Sequence, residues 1–345
     1  MLYLQEVEAD ALRMAIDARQ AFEVMRRDTE TLSRRYRGTM RYGRRGDREY
    51  LLRRVPGSKS DTSLGPRSAE TDAILARYTA EKAALQDRIG GTRARLEKGR
   101  RLVVAHGLGR VPVVAARLLR TFDDVGWLGA RLILVGTNAL FAYEARAGLR
   151  IGSGALSTRD IDVLHDARRR ASFGGVDLPP NGFLGLLRKT DTSFDPVQRN
   201  AFRASDREGY LVDLVEPERG HVMTRKPSRL SDHPDDMEAI AIEGLSWLVN
   251  APKFEAIAFD ERGLPLRIAT IDPRVFALHK MWLSRRGDRE AAKRQRDRLQ
   301  AQIAAAIARD HLGLDFDGTD LSALPARLRD LAADLEAGAP DPPLW

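Results

Sequence analysis

Along residues 3–37 the apolar positions Leu12, Ala15, Ile16, Ala21, Phe22 and Met25 recur three to four apart with charged residues between them. Residues at that spacing share one helical face, so the pattern predicts helix, read as two segments. Gly38-Thr-Met-Arg-Tyr-Gly-Arg-Arg and Arg48-Glu-Tyr-Leu-Leu-Arg-Arg are both strand-capable and flank Gly46-Asp47, which predicts a hairpin near residues 38–54. The polar stretch of residues 55–66 is rich in turn formers and reads as a loop. Ser68 with Glu70 opens a long charged helix expected to run to about Lys98, and Pro112 stands near the start of another. Residues 1–124 thus read as a mostly helical N-terminal region.

From Trp127 the texture changes. Ala130-Arg-Leu-Ile-Leu-Val runs into Gly136 as a buried strand, and residues 138–147 follow as an alanine-rich helix that Gly148 can stop. Ser153, in Gly152-Ser-Gly, reads as part of a flexible loop. A second strand begins at Ile161, and residues 201–215 form a hairpin that turns at Asp206 to Gly209 into Tyr210-Leu-Val-Asp-Leu-Val. Residues 125–230 therefore predict an α/β domain on a small mixed sheet, an α+β arrangement overall, and residues 231–345 a chiefly helical C-terminal domain.

Composition adds bounds. A chain of 345 residues can hold two or three compact units. It has no cysteine, which removes disulfides, thiolate metal sites and cysteine nucleophiles. The first residues carry acids where a secretory signal carries basic and apolar runs, and no stretch approaches the roughly 20 apolar residues of a membrane span, so the expectation is a cytoplasmic protein without a membrane partner. Lys and Arg number 57 against 49 acids, a formal charge of +8 that favours polyanions. An arginine-rich proteome gives the same balance without any nucleic acid bound.

The chemistry concentrates in a few positions. Asp160 and Asp162 are one residue apart, so on a strand both project from one face, roughly 7 Å apart at about 3.3 Å per residue. Carboxylates so placed can bracket hard cations such as the two Mg²⁺ ions, about 3.5–4 Å apart, of a phosphoryl-transfer site. The bland reading is a solvated strand face. Gly136-Thr137 joins a strand to a helix, where backbone N–H groups can face a phosphate, the glycine permits close approach and the hydroxyl adds a donor. The bland reading there is a plain turn with Thr137 as N-cap. Asp213 lies in an apolar strand, where an unpaired charge would cost several kcal/mol, so a metal or another cation must compensate it unless the strand is a wet edge.

In that order, Gly136-Thr137, helix, Asp160-x-Asp162 and strand acid Asp213 resemble the polymerase-β nucleotidyltransferase superfamily. More closely, Val135-Gly-Thr-Asn-Ala-Leu-Phe-Ala-Tyr-Glu-Ala, Ser157-Thr-Arg-Asp-Ile-Asp-Val-Leu, Gly182-Phe-Leu-Gly-Leu-Leu-Arg-Lys, Leu248-Val-Asn-Ala-Pro-Lys-Phe-Glu-Ala and Pro273-Arg-Val-Phe-Ala-Leu-His-Lys-Met-Trp-Leu resemble the bacterial nucleotidyltransferase-fold family labelled by its Geobacter member. Thr137 departs from the serine usual in the superfamily while keeping the hydroxyl. The chain is also similar to abortive-infection nucleotidyltransferase toxins, whose helical lysine and following Arg-Asp pair match Lys280 and Arg296-Asp297. These resemblances imply Mg²⁺ or Mn²⁺ on Asp160, Asp162 and Asp213, an NTP substrate at Gly136-Thr137, Lys280 on the phosphates, and Asp297 orienting a neighbouring group. Lys189, after a leucine run, is a further phosphate candidate; a solvated helix face is the alternative for these later positions.

The expectation is then a metal-dependent transferase that moves an NMP group from an NTP to an acceptor, with basic charge tipping the acceptor towards RNA or tRNA over protein or a small molecule. Its rivals are a non-catalytic nucleotide- or RNA-binding module of the same fold, and a toxin–antitoxin or phage-defence component. Other patterns lead elsewhere. Gly107-Leu-Gly109 lacks the third glycine of a dinucleotide fingerprint and reads as a turn, and the six histidines have no zinc spacing. Arg34-Arg-Tyr-Arg and Arg41-Tyr-Gly-Arg-Arg interleave base-stacking and phosphate-neutralising side chains, or form a solvated hairpin.

Overall fold

The computed structural model describes residues 4–166, 168, 182–198, 201–218 and 228–336. The described chain divides into two compact units, one formed by Arg13–His106 with Gly263–Pro265 and the other by the remainder. The sequence suggests a boundary near 124 and a separate C-terminal domain; instead the division falls after His106, and the C-terminal helices share a unit with the residues of the predicted catalytic sheet.

The chain opens with a short strand β1 (Leu4–Glu6) and then one unbroken helix, α1 (Ala9–Arg35), where two were expected. Strands β2 (Thr39–Arg45) and β3 (Arg48–Arg54) pair antiparallel from Thr39↔Arg54 to Arg45↔Arg48, so Gly46-Asp47 is the turn, with Gly46 at φ +62° as a tight hairpin requires. Residues 62–66, read as loop, add a third strand β4 (Thr62–Pro66). It is almost wholly exposed and so carries no apolar pattern to betray it. Helix α2 (Ala69–Ala105) starts at Ser68, which forms a reciprocal capping box with Thr71, and runs a further two turns past the expected end. Tyr78 in this helix donates its hydroxyl to the carbonyls of Tyr36 and Gly38, tying α2 to the end of α1 and the start of the hairpin.

The second unit begins with β5 (Gly109–Val111) and α3 (Val113–Asp124), which Pro112 leads into. Gly109, expected in a turn, therefore opens a strand. Next come β6 (Leu132–Val135), a 3₁₀ turn (Thr137–Ala139), α4 (Leu140–Ala147) closed by left-handed Gly148, β7 (Leu149–Ile151), which pairs with β1, α5 (Ser153–Leu156) and β8 (Asp160–His165). Ser153 thus sits in a helical turn, not in a loop. Then follow α6 (Gly182–Thr190), β9 (Asp195–Pro196), β10 (Arg203–Ser205), β11 (Leu211–Pro217), β12 (Ile240–Ile242) and α7 (Leu245–Asn250).

Strand order in the main sheet is β6-β8-β11-β10-β9, with β12 beside the far half of β11. β8 runs antiparallel to β6 and parallel to β11, which makes the sheet mixed and the fold α+β. The C-terminal third is not chiefly helical as expected: β13 (Lys253–Asp260) and β14 (Pro265–Ile271) join β5 in a separate sheet before α8 (Pro273–Ser284) and α9 (Ala291–Ala306). Buried Tyr143 of α4 donates to the Ile271 carbonyl and Thr270 donates to the Leu134 carbonyl, which fix α4 and β6 against this second sheet. β6 is buried along its whole length and β8 over Val163–His165. No described helix is long and apolar enough to cross a membrane.

Candidate active site

Register places the acids. Asp162 is aligned with Val135 on one side and with Asp213 on the other, and Asp160 with Leu211. Aligned residues of neighbouring strands share a face and lie about 5 Å apart, and residues two apart on one strand share it too. Asp160, Asp162 and Asp213 therefore stand on one face at the centre of the sheet. The charges act on one another: burial first, then Asp160 and Asp213, push the Asp162 carboxyl up to about 7, while Lys280 and Arg203 pull it down.

Gly136 connects this face to the turn. It has φ +71°, and a Cβ built on it would lie 2.0 Å from Asp162 Oδ2. Both facts exclude any other residue: the conformation is left-handed and the carboxylate occupies the space a side chain would need. Gly136 caps the 3₁₀ turn and Thr137 is its first residue, so the N–H groups beside Asp162 belong to a 3₁₀ turn leading into α4 and Thr137 is not the N-cap. Gly136→Ala is expected to cost roughly 1–3 kcal/mol of stability and to abolish nucleotide binding, measured by thermal melts and by NTP titration. Unchanged NTP affinity would remove Gly136 from the site.

Four residues to which the sequence assigns no role in the site surround the turn and the acids. Gln300 of α9 is fully buried and donates its Nε2 to the Ala155 carbonyl at 2.7 Å and to Thr137 Oγ1 at 3.1 Å. Because Thr137 accepts there, its hydroxyl proton is free to be given to a ligand. Asn138 donates to the Asp160 carbonyl at 2.7 Å, tying the turn to the start of β8. Tyr210, beside Asn138, has a buried hydroxyl without a hydrogen bond among the described residues, and burial together with the charges of Asp160 and Asp162 keeps it protonated. Thr158 donates to Asp160 Oδ1.

The cation that Asp213 requires is a side chain. Arg203, its register partner on β10, makes a two-pronged pair with it, both bonds at 2.6 Å. Among the described residues no three histidines, cysteines or carboxylates stand arranged to hold one metal ion. The expected three-carboxylate cage is thus not closed as the side chains stand: the three acids share a face, but Asp213 is turned to Arg203. Two of them, Asp160 and Asp162, fit a cation, since Asp162 sits in excess negative charge that raises its proton affinity.

Lys280 on α8 and Asp297 on α9 are buried and bonded at 2.8 Å, and Arg289 pairs with the other Asp297 oxygen. They are not a solvated helix face. Lys280 reaches the acids through its charge on Asp162, while one of its three N–H groups is given to Asp297. Arg296, neighbour of Asp297, reaches the Ser157 carbonyl at 3.5 Å. Lys189 is exposed near the end of α6, makes no ion pair among the described residues, and is not among the charges acting on Asp162; the structure does not bring it to the site.

His279, next to Lys280, is packed between Trp247 and Trp282. Burial, then the Lys280 charge, lowers its pKa from 6.5 to about 3. The unfolded chain takes up this proton near pH 6.5 and the folded chain refuses it until about pH 3, so stability present above 6.5 is lost as pH falls through that window. The loss reaches about 3 kcal/mol by pH 4. His279→Asn is expected to remove this slope in urea melts at pH 7.5 and pH 4, and an unaltered slope would place the acid sensitivity elsewhere.

Fold and site define a class, an α+β protein that sets a carboxylate-bearing sheet face against a glycine-led turn. The chain belongs to a nucleotidyltransferase family: the family model described as Nucleotidyltransferase matches residues 114–325, more than half of its length. That stretch contains every site residue named above. Among solved structures, an antigenic nucleotidyltransferase-like protein from Paracoccidioides brasiliensis is similar at 16% identity over 65% of this chain and 91% of that one, with a TM-score of 0.31, too loose a superposition to assign a fold by. No curated protein matches the chain.

Proposed function

We propose that this protein transfers a nucleoside monophosphate from an NTP to an acceptor hydroxyl, RNA or tRNA before protein or small molecule, breaking the bond between the α- and β-phosphates and releasing pyrophosphate, with Mg²⁺ or Mn²⁺ held by Asp160 and Asp162 and joined by Asp213. The observation that carries this reading is Gly136 packed under the Asp162 carboxylate, because it sets the backbone of the turn, with N–H groups that can bind a phosphate, directly beside the cation ligands. When bound, the divalent ion supplies charge to the phosphates and lowers the proton affinity of the attacking oxygen. The protein's own groups do the rest. Gly136 and the 3₁₀ turn offer N–H donors, Thr137 gives its hydroxyl proton outward because Gln300 occupies its lone pair, and Lys280 offsets negative charge around Asp162. Family membership and the resemblance to transferase toxins support the chemistry and leave the acceptor to experiment.

The test is α-³²P-labelled NTPs with Mg²⁺ and total cellular RNA. Label should enter RNA, and Asp160→Ala with Asp162→Ala should abolish it. Nucleotide binding without label transfer to RNA or protein would instead select the non-catalytic module, a reading favoured by one observation, that Arg203 already satisfies Asp213. A role as toxin or phage-defence component requires that expression arrest growth and that the same two substitutions lift the arrest.

A further inference from the structure

The charge of the chain is unevenly placed. Residues 13–106 hold 23 of the lysines and arginines against 12 acids, a net +11, so the rest of the chain, within a total of +8, carries −3. The basic excess therefore belongs entirely to the helix-and-hairpin unit, which lies outside the stretch matched by the family. It is also concentrated within that unit. At the hairpin tip Arg44, Arg45 and Arg48 are all exposed and make no ion pair among the described residues.

Register makes this tip costly. Arg45 stands directly opposite Arg48 across β2 and β3, on the same face. Like charges at directly opposed positions repel and weaken a hairpin. Tyr50 follows on that face, opposite Gly43, and then Arg41 and Arg54, which share a single acid, Asp61. On this face Arg41 and Arg45 lie four residues apart on β2, roughly 13 Å at about 3.3 Å per residue, or about two steps between phosphates on a nucleic-acid strand. The guanidinium forks suit phosphate oxygens, and Tyr50, only partly covered, is available for a base to stack on.

We propose that the face of β2 and β3 around Arg45, Arg48 and Tyr50, with Arg44 at the tip, binds the phosphate backbone of RNA and so delivers the acceptor of the transferase. The acceptor role rests on the reading above; the binding does not. The arm is covalently part of the enzyme, so RNA held on it is presented at high effective concentration. An acidic protein surface is the competing partner, and guanidinium forks on either side of a stacking ring on one face favour RNA.

The experiment uses the full chain and a fluorescein-labelled single-stranded RNA of about 20 nucleotides, longer than a single site of roughly 4–16. Anisotropy is read across a salt series for the wild type and for Arg44→Gln with Arg45→Gln and Arg48→Gln. The wild type should bind with a steep salt dependence. The triple variant, no lower in thermal midpoint because these side chains make no ion pair among the described residues and their repulsion is relieved, should bind at least ~10-fold more weakly, with a slope shallower by about 2, since each lost phosphate contact removes about 0.7. Unchanged affinity and slope overturn the proposal, as does competition by polyglutamate equal to that by unlabelled RNA at matched charge. Asp160→Asn with Asp162→Asn should bind RNA as the wild type does. RNA binding without transfer in the wild type would sink the proposed activity and leave this inference standing; transfer to another acceptor at the same rate in wild type and triple variant would do the reverse.

Discussion

Asp162→Asn is expected to raise the thermal midpoint of the metal-free protein at pH 8 while lowering nucleotidyl transfer by about 10³-fold or more. The two effects have one cause. Asp162 is aligned with Asp213 and two residues from Asp160, and burial with those charges lifts its carboxyl from 3.8 to about 7. The folded chain therefore holds this proton more tightly than the unfolded chain does. Stability falls as pH rises from 3.8 to 7, and above 7 the whole penalty is present, roughly 2–4 kcal/mol after allowance for solvent screening. Asparagine keeps the shape and removes the charge, so the gain should be largest at pH 8, smaller at pH 5 and absent near pH 3. The same substitution deletes a cation ligand, hence the loss of transfer. Scanning fluorimetry at the three pH values and the labelled-NTP assay measure both arms. A variant less stable than wild type at pH 8, or one retaining a tenth of the activity, would contradict the placement of this acid in a repulsive cation site.

Much of this site is local in sequence and was legible for that reason. A strand running into Gly136, an acid pair one residue apart, and a charge stranded in Tyr210-Leu-Val-Asp-Leu-Val each follow from periodicities of a few residues. What escaped depends on register or on distant packing. Arg203 is the cation that Asp213 needs, and the pairing follows from a loop of residues 206–210, since 203 and 213 each lie three residues outside it; a turn at 206–209 alone would set 203 opposite 212. Gln300 lies 163 residues from Thr137, and nothing local distinguishes it from Gln295 and Gln302 on the same helix. The Lys280–Asp297 contact joins two helices and was named only through family resemblance. In the C-terminal third, β13 and β14 were missed although Phe254, Ala256 and Ala258 alternate before the Gly263 turn and Leu266 and Ile268 alternate after it, the ordinary hairpin pattern.

Replacing Arg203 with Gln is expected to produce a protein whose stability depends on divalent cation. Asp213 is 6% exposed and both its oxygens are bonded to the guanidinium. Without that partner the carboxylate is left uncompensated beside Asp162, a loss of about 3 kcal/mol or more, which corresponds to a midpoint lower by roughly 6–12 °C for a unit of this size. A divalent ion on Asp160 and Asp162 can take over the role of Arg203, since Asp213 faces the same side of the sheet. Millimolar Mg²⁺ or Mn²⁺ should therefore restore at least half of the lost midpoint in Arg203→Gln and add much less to wild type, where the guanidinium competes. In Arg203→Gln combined with Asp213→Asn neither the loss nor the rescue should appear. Rescue in the single variant and none in the double would make Asp213 a ligand that Arg203 withholds. An equal lack of rescue in both would confine the cation to Asp160 and Asp162 and make the Arg203–Asp213 pair a permanent part of the sheet.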